Sequence, residues 1–205
     1  IWQTQEEIDD SGITDATGAM LPGAFKFKDI SGPDGVPDGK IDELDREVIG
    51  DPYPDFTFGI NNSFSWKSFT LSFLITGNIG QDLINANRQF LDGLVTSSEY
   101  NVSREAWENR WTGPGTSNKY PKPLNANQKG AGFSSRFTDF IVEDASFVRL
   151  KTLTLAYTFP RRFIPFVNSV KVFGTATNLF TITDYTGYDP EVNSRAGKGL
   201  RPGID

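Results

Sequence analysis

Residues 55–78 constrain the fold more than any other part of the chain, because apolar and polar side chains alternate through them in two long runs. Phenylalanine, isoleucine and tryptophan recur at every second position of the first run, and phenylalanine, leucine and isoleucine recur in the second. Asn62 and Leu74 are the exceptions. Since successive side chains of a strand point to opposite faces, this period predicts two strands. The two-residue connection, Lys67 and Ser68, predicts an antiparallel hairpin.

The length and the aromatic content of these strands are unusual. Ordinary strands have about 5–6 residues, whereas each run here has about 10–11, close to the length with which a tilted barrel strand crosses a bilayer. Trp66 and Phe69 flank the turn, where the aromatic girdle of a membrane barrel would lie. The alternation alone leaves two interpretations open, which are strands of a membrane barrel and a long hairpin in a soluble β-sandwich.

Composition excludes several classes of chemistry. The 205 residues include no cysteine and no histidine, so disulfides, thiolate nucleophiles, Ser-His-Asp triads and histidine-ligated zinc are excluded. The net charge of −6 argues against a nucleic-acid partner, because such proteins carry basic patches. No segment has the roughly 20 consecutive apolar residues that a membrane helix needs.

An acidic loop at residues 29–45 resembles a calcium-binding loop, in which oxygen ligands recur at fixed positions around a turn glycine. Val36 stands at position 3 of the loop, the second ligand place, and has no side-chain oxygen, so Asp29 or Ser31 would have to fold back to replace it. The alternative is a solvated acidic turn held by glycine and proline. The residues that align with ligand positions are Asp34, Asp38, Lys40 through its backbone carbonyl, Asp42 and Asp45.

Further strands are predicted on both sides of the hairpin. Residues 24–28 alternate and predict a short strand, whereas residues 1–21 show no sustained period and predict a loop or the end of an earlier element. Strands are also predicted in residues 140–159 and in residues 170–179. In the second of these, the sequence leaves open whether Val170 and Val172 or Phe173 point outward. Residues from 181 onward are polar and rich in glycine and proline, which predicts a loop.

A long connection separates the hairpin from these later strands. Short amphipathic helices are predicted within residues 81–95 and within residues 103–111, where Ser103 begins the second helix. Short and long connections therefore alternate along the chain, as they do in an up-and-down barrel with tight turns on one side and long loops on the other.

Several sequence strings, taken together and in this order, resemble the C-terminal barrel region of the SusC/RagA type of TonB-dependent receptors. The resemblance covers nearly the whole chain. The strings are IWQTQEEID at 1–9, KFKDISGPDGVPDGKIDELDREVIGDP at 26–52, PDFTFGINNSFSWKSFTLSFLITGNIGQDL at 54–83, DASFVRLKTLTLAYTFP at 144–160 and NLFTITDYTGYDPEVN at 178–193.

The resemblance implies an all-β fold of antiparallel up-and-down transmembrane β-barrel strands, here a partial barrel with long outer loops that carry short helices. Residues 1–205 would then be the C-terminal portion of such a barrel, without the plug domain and the final strand. The family imports oligosaccharides or peptides across the cell outer membrane and is not enzymatic. Its partners are a SusD-like surface lipoprotein, the TonB complex acting through the plug, and outer-membrane lipid, in an oligomer of transporter–lipoprotein pairs.

The resemblance also suggests roles for loop residues. In the family pattern Asp29 and Ser31 take the first two ligand places of the acidic loop, which removes the gap at Val36 but requires the inserted residues to loop out. Aromatic side chains in the outer loops are candidates for stacking on sugar rings, with packing within the loops as the alternative. They are Trp107, Trp111, Tyr120, Tyr185 and Tyr188.

The sequence raises three further interpretations. A soluble calcium-dependent β-rich carbohydrate-binding module would account for the acidic loop but not for the long aromatic face. A hydrolase would need two carboxylates at a defined separation, and sequence proximity among Asp139, Glu143 and Asp144 does not supply one. The acidic residues at 184–191 suggest either a second metal site or, preferably, a turn fixed by Gly187 and Pro190.

Overall fold

The structure is a computed structural model that divides into two compact units, residues 1–49 with 84–142 and residues 50–83 with 143–205. Among the described residues, no helix has both the length and the apolar character needed to cross a membrane. The structure describes residues 1–15, 20–92, 95–96, 101–125, 138–160 and 166–191.

Strands account for most of the regular structure in the described ranges. The three α-helices are short: α1 is Gln5–Ser11, α2 is Ala86–Leu91 and α3 is Arg104–Glu108. The strands in chain order are β1 Thr14–Asp15, β2 Lys40–Ile41, β3 Phe56–Trp66, β4 Phe69–Ile79, β5 Asp82–Ile84, β6 Val95–Thr96, β7 Leu124–Asn125, β8 Val142–Asp144, β9 Phe147–Phe159 and β10 Val170–Thr183.

The second unit contains a four-stranded antiparallel sheet in the order β10-β9-β4-β3. The four strands lie side by side in the order in which the chain reaches them. This is the up-and-down arrangement of a barrel wall. The predicted all-β, antiparallel partial barrel is confirmed by this sheet. Helices α2 and α3 lie in the long connection between β4 and β9, as predicted.

The predicted hairpin is confirmed with its register. Phe56 pairs with Ile79 and Trp66 with Phe69, so β3 and β4 match over eleven residues each. Lys67 closes the turn with a φ of 54°, a left-handed conformation that a tight hairpin turn requires of its central residues.

The strands predicted within residues 140–159 and 170–179 are also confirmed, as β9 with β8 before it and as β10. Strand β10 continues to Thr183, so the loop that was predicted to begin at residue 181 begins later. The face of β10 is settled by its partners: Val172 lies opposite Tyr157, and Phe173 lies opposite Ala156 on the other face.

A register shift at Lys151 changes the alternation of β9. Leu74 of β4 pairs with Thr152, whereas the next residue, Ile75, pairs with Leu150, so Lys151 is an extra residue in β9. Such a bulge moves every side chain beyond it to the opposite face from the one that strict alternation predicts. Residues 147–150 are therefore inverted relative to residues 152–159.

The first unit begins with a helix where a loop was predicted, so that prediction is wrong. Thr4 caps α1 by accepting a hydrogen bond from the Glu7 amide at 3.0 Å, and the Glu7 carboxylate accepts one from the Gln3 amide at 2.7 Å. Glu7 thus binds the amide of the residue before the cap rather than the Thr4 amide, and the two contacts satisfy two backbone donors at the start of the helix. The helix ends at Gly12, whose φ of 65° suits glycine.

The strand predicted at residues 24–28 is not formed. Ala24 accepts a hydrogen bond from the buried Trp2 amide at 3.0 Å, but no ladder continues from it within the described residues. Alternation in a short segment is not sufficient for a strand when no neighbouring segment supplies the ladder of hydrogen bonds.

The two predicted helices have different outcomes. Helix α3 confirms the prediction for residues 103–111, and the Ser103 hydroxyl caps it by accepting from the Ala106 amide at 3.1 Å. Within residues 81–95, only α2 is helical, and β5 and β6 flank it. Residues 93 and 94 of that prediction lie outside the described residues.

Candidate functional site

The sheet of the second unit has an apolar face that crosses all four strands. Many of its side chains are exposed on the described chain, with 60% for Phe56, 68% for Trp66 and 67% for Ile182, whereas those in the middle of β4 and β9 are partly buried. Asn62 is its polar exception, and the Asn62 side chain accepts a hydrogen bond from the Ser63 amide. The aligned apolar residues include Phe56, Ile60, Phe64, Trp66, Phe69, Leu71, Phe73, Ile75, Val148, Leu150, Leu153, Leu155, Tyr157, Val172, Phe180 and Ile182.

The opposite face is made mainly of small, neutral polar side chains. Hydroxyl groups pair between neighbouring strands, at 2.9 Å for Thr154 with Thr175 and 3.4 Å for Ser65 with Thr70. The residues that share this face include Thr57, Asn61, Ser63, Ser65, Thr70, Ser72, Thr76, Asn78, Thr152, Thr154, Thr175, Thr177, Thr181 and Thr183.

Arg149 is a buried charged side chain on this polar face. It is 5% exposed and pairs in register with Thr76 and Thr181. Its guanidinium donates to Thr181 Oγ1 at 2.8 Å, to Asp189 Oδ1 at 2.7 Å and to Glu191 Oε2 at 2.5 Å. A buried charge is retained when it is paired and hydrogen-bonded in this way.

The acidic residues at the end of the described chain thus bind an arginine. Burial alone would raise the pKa of Asp189, but the Arg149 guanidinium and the Glu191 amide together hold that pKa below its usual value. The preferred interpretation, a turn, agrees with the packing around Gly187. A Cβ atom at that position would lie 2.3 Å from Cζ of Tyr185, so the turn requires glycine there.

The acidic loop of the first unit is ordered by its own carboxylates. Asp29 accepts hydrogen bonds from the amides of Asp38 and Gly39, at 3.3 and 2.6 Å. Gly39 has a φ of 82°, which provides the sharp turn that a calcium loop also needs. Ile41, an apolar residue within the loop, is buried at 6% exposure.

Asp45 closes the other end of the loop. Its carboxylate accepts from the Asp42, Ile30 and Ser31 amides at 2.8, 2.8 and 3.2 Å, and the Asp42 and Ile30 bonds contribute most to a lowered Asp45 pKa. Asp42 in turn accepts from the Leu44 amide. These carboxylates therefore bind backbone amides.

Calcium remains a prediction for this loop. The described ranges contain no group of three or more acidic side chains placed to hold a metal ion. Asp38 accepts from the Lys40 amide at 3.0 Å, and Asp34 stands at the exposed turn of the insert.

The predicted aromatic contacts separate into buried and exposed residues. Tyr120 is 2% exposed, packs with Ala106 and Phe140, and donates its hydroxyl to Glu105 at 2.7 Å. Lys119 also donates to Glu105, at 3.1 Å, so this carboxylate fixes two neighbouring side chains. The Tyr120 hydroxyl and Lys119 lower the pKa of Glu105, and burial raises the pKa of Tyr120.

Trp107 and Tyr188 are the most exposed of these aromatic residues, at 48% and 84%. The Arg110 guanidinium stacks 3.8 Å from the centre of the Trp107 ring. Trp111 is half-buried and donates from Nε1 to Gln3 Oε1 at 3.1 Å, whereas Tyr185 is buried. The role of these aromatic residues in binding cargo stays a prediction.

Comparison with known proteins places this sheet and these loops in one family. The chain is 32% identical over 192 residues to "TonB-dependent receptor P3" of Formosa agariphila, which covers 93% of this chain and 18% of the relative. It is 31% identical over 201 residues to "TonB-dependent receptor P26" of the same organism, covering 97% of this chain and 19% of that protein. The chain belongs to the SusC/RagA type of TonB-dependent receptors.

Three further comparisons agree with this family. "TonB-dependent receptor SusC" of Bacteroides thetaiotaomicron is 28% identical over 162 residues, which are 76% of this chain and 15% of SusC. A structure of the RagAB peptide transporter matches with a TM-score of 0.63 and 27% identity, covering 80% of this chain and 18% of that one. The RagAB peptide importer in its open-open state gives a TM-score of 0.62 and 29% identity, covering 78% and 17%.

The chain thus spans less than a fifth of the length of the TonB-dependent receptors that it matches. No protein-family model matches the chain.

Three functional features of this family member were not found from the sequence. Arg149 was missed because strict alternation places it on the apolar face with Leu153. Gln81, 6% exposed, was missed because buried glutamines have no sequence signal of their own. The cap of α1 had a signal, since Thr4 followed by Glu7 matches a capping box.

Proposed function

We propose that this chain forms part of the barrel wall of a TonB-dependent outer-membrane importer for oligosaccharides or peptides, and that it is not an enzyme. The observation that carries the proposal is the joint match in sequence and fold to TonB-dependent receptors and to a peptide importer over most of the chain. The wall needs no catalytic group, because its role is to separate lipid from a polar path.

The two faces of the sheet support a position in the outer membrane. The apolar face, with half-exposed residues such as Ile60 and Phe64, suits contact with lipid, where an alternating strand places its apolar side chains. The face with Thr154 and Thr175 suits the wall of a water-filled path. Its hydroxyl groups hydrogen-bond to one another and can equally hydrogen-bond to water or to a neutral ligand.

The proposed partners follow from the relatives. SusC and RagAB support association with a SusD-like surface lipoprotein, and the family name supports coupling to the TonB complex. The full-length protein would then assemble as an oligomer of transporter–lipoprotein pairs.

The alternative, a soluble calcium-dependent carbohydrate-binding module, makes a different prediction. Such a module would leave a continuous apolar face in water, and an exposed apolar band of this size is an aggregation hazard. The two functions therefore differ in the cell fraction from which the protein is recovered.

The test uses the full-length parent protein, tagged and extracted in detergent from outer membranes. We expect recovery from that fraction together with a surface lipoprotein, identified by mass spectrometry. Cells that lack the parent should lose uptake of either a glycan or a peptide mixture, and the full-length gene should restore it. Recovery as a soluble protein without such a partner would contradict the proposal.

A further inference from the structure

We propose that residues 184–191 form a strap that Arg149 closes onto the sheet of the second unit, and that Arg149 is a positioning residue for import. The strap follows β10 directly and returns over β9. Closure of the strap is a property of this chain alone, whereas its role in transport rests on the proposed function.

The central contact of the strap is ionic. Arg149 reaches Asp189 with one terminal nitrogen and Glu191 with the other, while its Nε binds Thr181. The Arg149 side chain is 6% exposed, and the side chains of Asp189 and Glu191 are 36% and 32% exposed. One planar guanidinium therefore joins two acidic residues of the strap to two strands of the sheet, a geometry that a lysine cannot reproduce.

A second contact fixes the backbone of the strap near its end. Gln81 is buried and donates both to the carbonyl of Pro190 at 3.1 Å and to the carbonyl of Ala145 at 3.0 Å. Asn78 donates to the Gln81 side-chain oxygen at 3.1 Å, which orients the amide. The strap is thus tied to the ends of β4 and β9 by a neutral group as well as by a charged one.

The start of the strap is held by a third group of contacts. Tyr185 is buried, and its amide donates to Thr183 Oγ1 at 3.1 Å. The amide of Thr186 donates to Glu143 at 2.8 Å. Between these contacts and Asp189 stands Tyr188, 84% exposed, so the strap presents one aromatic side chain from a turn that is fixed on both sides.

The three contacts differ in how they respond to a single substitution. Loss of Arg149 leaves the two strap carboxylates with Lys151, which lies 3.4 Å from Glu191 and is itself partly exposed. Removing one partner of a buried ion pair is strongly destabilising, because the other charges lose their compensation. We therefore infer that Arg149 decides whether the strap is closed, and that Gln81 and Glu143 decide where it lies when it is closed.

The experiment compares hydrogen exchange in the full-length parent protein and in its Arg149→Gln variant, both in detergent, by mass spectrometry of peptides. We expect amides of residues 185–191 to exchange about tenfold faster or more in the variant, because local opening follows the loss of local contacts. Amides of β9 and β10 should exchange as in the wild type. Arg149→Lys should give an intermediate rate, since it restores the charge without the two-nitrogen geometry.

Two further variants distinguish release of the strap from a general loss of fold. The double variant Asp189→Asn, Glu191→Gln removes the same ion pairs from the strap side and should release the same peptide. Lys171→Gln, which removes an exposed cation near the start of β10, should leave the strap unchanged. Unchanged exchange of the strap in Arg149→Gln would overturn the proposal, and so would an equal rise in β9 and β10.

Uptake measurements separate the strap from the proposed function. If the wild-type parent imports cargo, Arg149→Gln should raise the half-saturation concentration for uptake while the amount of protein in the outer membrane stays the same. An unchanged half-saturation concentration with a released strap would overturn the positioning role. If the wild-type parent imports nothing, the proposed function fails, and the exchange experiment still decides whether Arg149 closes the strap.

Discussion

The Arg149 guanidinium lies 2.7 Å from the Asp189 carboxylate, although forty residues separate the two in the chain. Arg149 is on the polar face of a long strand, and Asp189 is in the loop that follows the next strand. The pair therefore joins the sheet, through β9, to the loop that follows β10. It adds a charged link between them to the neutral contact of Gln81 with Pro190.

The Asp189 carboxylate should make closure of the strap dependent on pH. Its pKa is lowered in the folded protein, so its contribution is present above the unfolded value of about 3.9 and is lost as the pH falls through the folded value. We expect pepsin to cleave within residues 184–191 of the parent protein only below about pH 4. In the double variant Asp189→Asn, Glu191→Gln the same cleavage should occur at every pH at which pepsin is active, and a retained pH step there would contradict this assignment.

Neighbouring residues of β3 should tolerate charge very differently. Ile60 is on the apolar face and Asn61 on the polar face, near the middle of the strand. Ile60→Arg should destabilise the membrane-inserted parent by about 2–4 kcal/mol, the cost of arginine on the lipid side at mid-membrane. Asn61→Arg should cost much less. The yield of heat-modifiable folded protein in the outer membrane measures both, and equal yields would contradict the assignment of the faces.

Two aromatic residues of the first unit should have opposite effects. Tyr120→Ala removes a buried ring and leaves Glu105 without the Tyr120 hydroxyl, so it should destabilise the unit by about 3–5 kcal/mol. Trp107→Ala removes a ring that is 48% exposed and should change stability by less than about 1 kcal/mol. Limited proteolysis of the full-length parent measures the difference. Equal protection of the two variants would show that Tyr120 is not part of the core.

Calcium should stabilise the acidic loop of the first unit. The Asp38 and Gly39 amides fix the carboxylate of Asp29, which takes the first ligand place in the family pattern, and Asp45 stands at the other end of the loop. We expect added Ca²⁺ to slow proteolysis of residues 29–45 in the parent, and a chelator to reverse this effect. Asp29→Asn should remove the response, whereas Asp51→Asn, outside the loop, should keep it. The same protection in wild type and Asp29→Asn would exclude calcium at this loop.

The sheet could be predicted from the sequence because its signal is repeated. Each of the long strands gives many independent observations of the same period, and the tight turn at Lys67 fixes the register of the first two. The position of Phe173 could not be predicted in this way, since Val170, Val172 and Phe173 are all apolar. Pairing with Ala156 decides it, and pairing is a property of the neighbouring strand.

The candidate site could be predicted only where its residues were already conspicuous. The carboxylates at 29–45 and the aromatic residues of the loops can be recognised in the sequence by their residue type. The groups to which they hydrogen-bond cannot be recognised in this way. Asp45 binds the Ile30 amide, and Tyr120 binds Glu105, through contacts that depend on how loops fold back. The buried Tyr120 and the exposed Trp107 look alike in sequence and differ only in packing.

The extra residue at Lys151 has a consequence for how this protein can change over generations. In a strand with a bulge, residues an even number of positions apart share a face only if both lie on the same side of the extra residue. Deletion of Lys151 would make Leu150 and Thr152 direct neighbours, so a regular ladder would keep Arg149 on the polar face and Leu150 and Val148 on the apolar face. Loss of one residue at this position should therefore preserve both faces, whereas a regular ladder that included Lys151 would place Arg149 on the apolar side, away from Asp189 and Glu191.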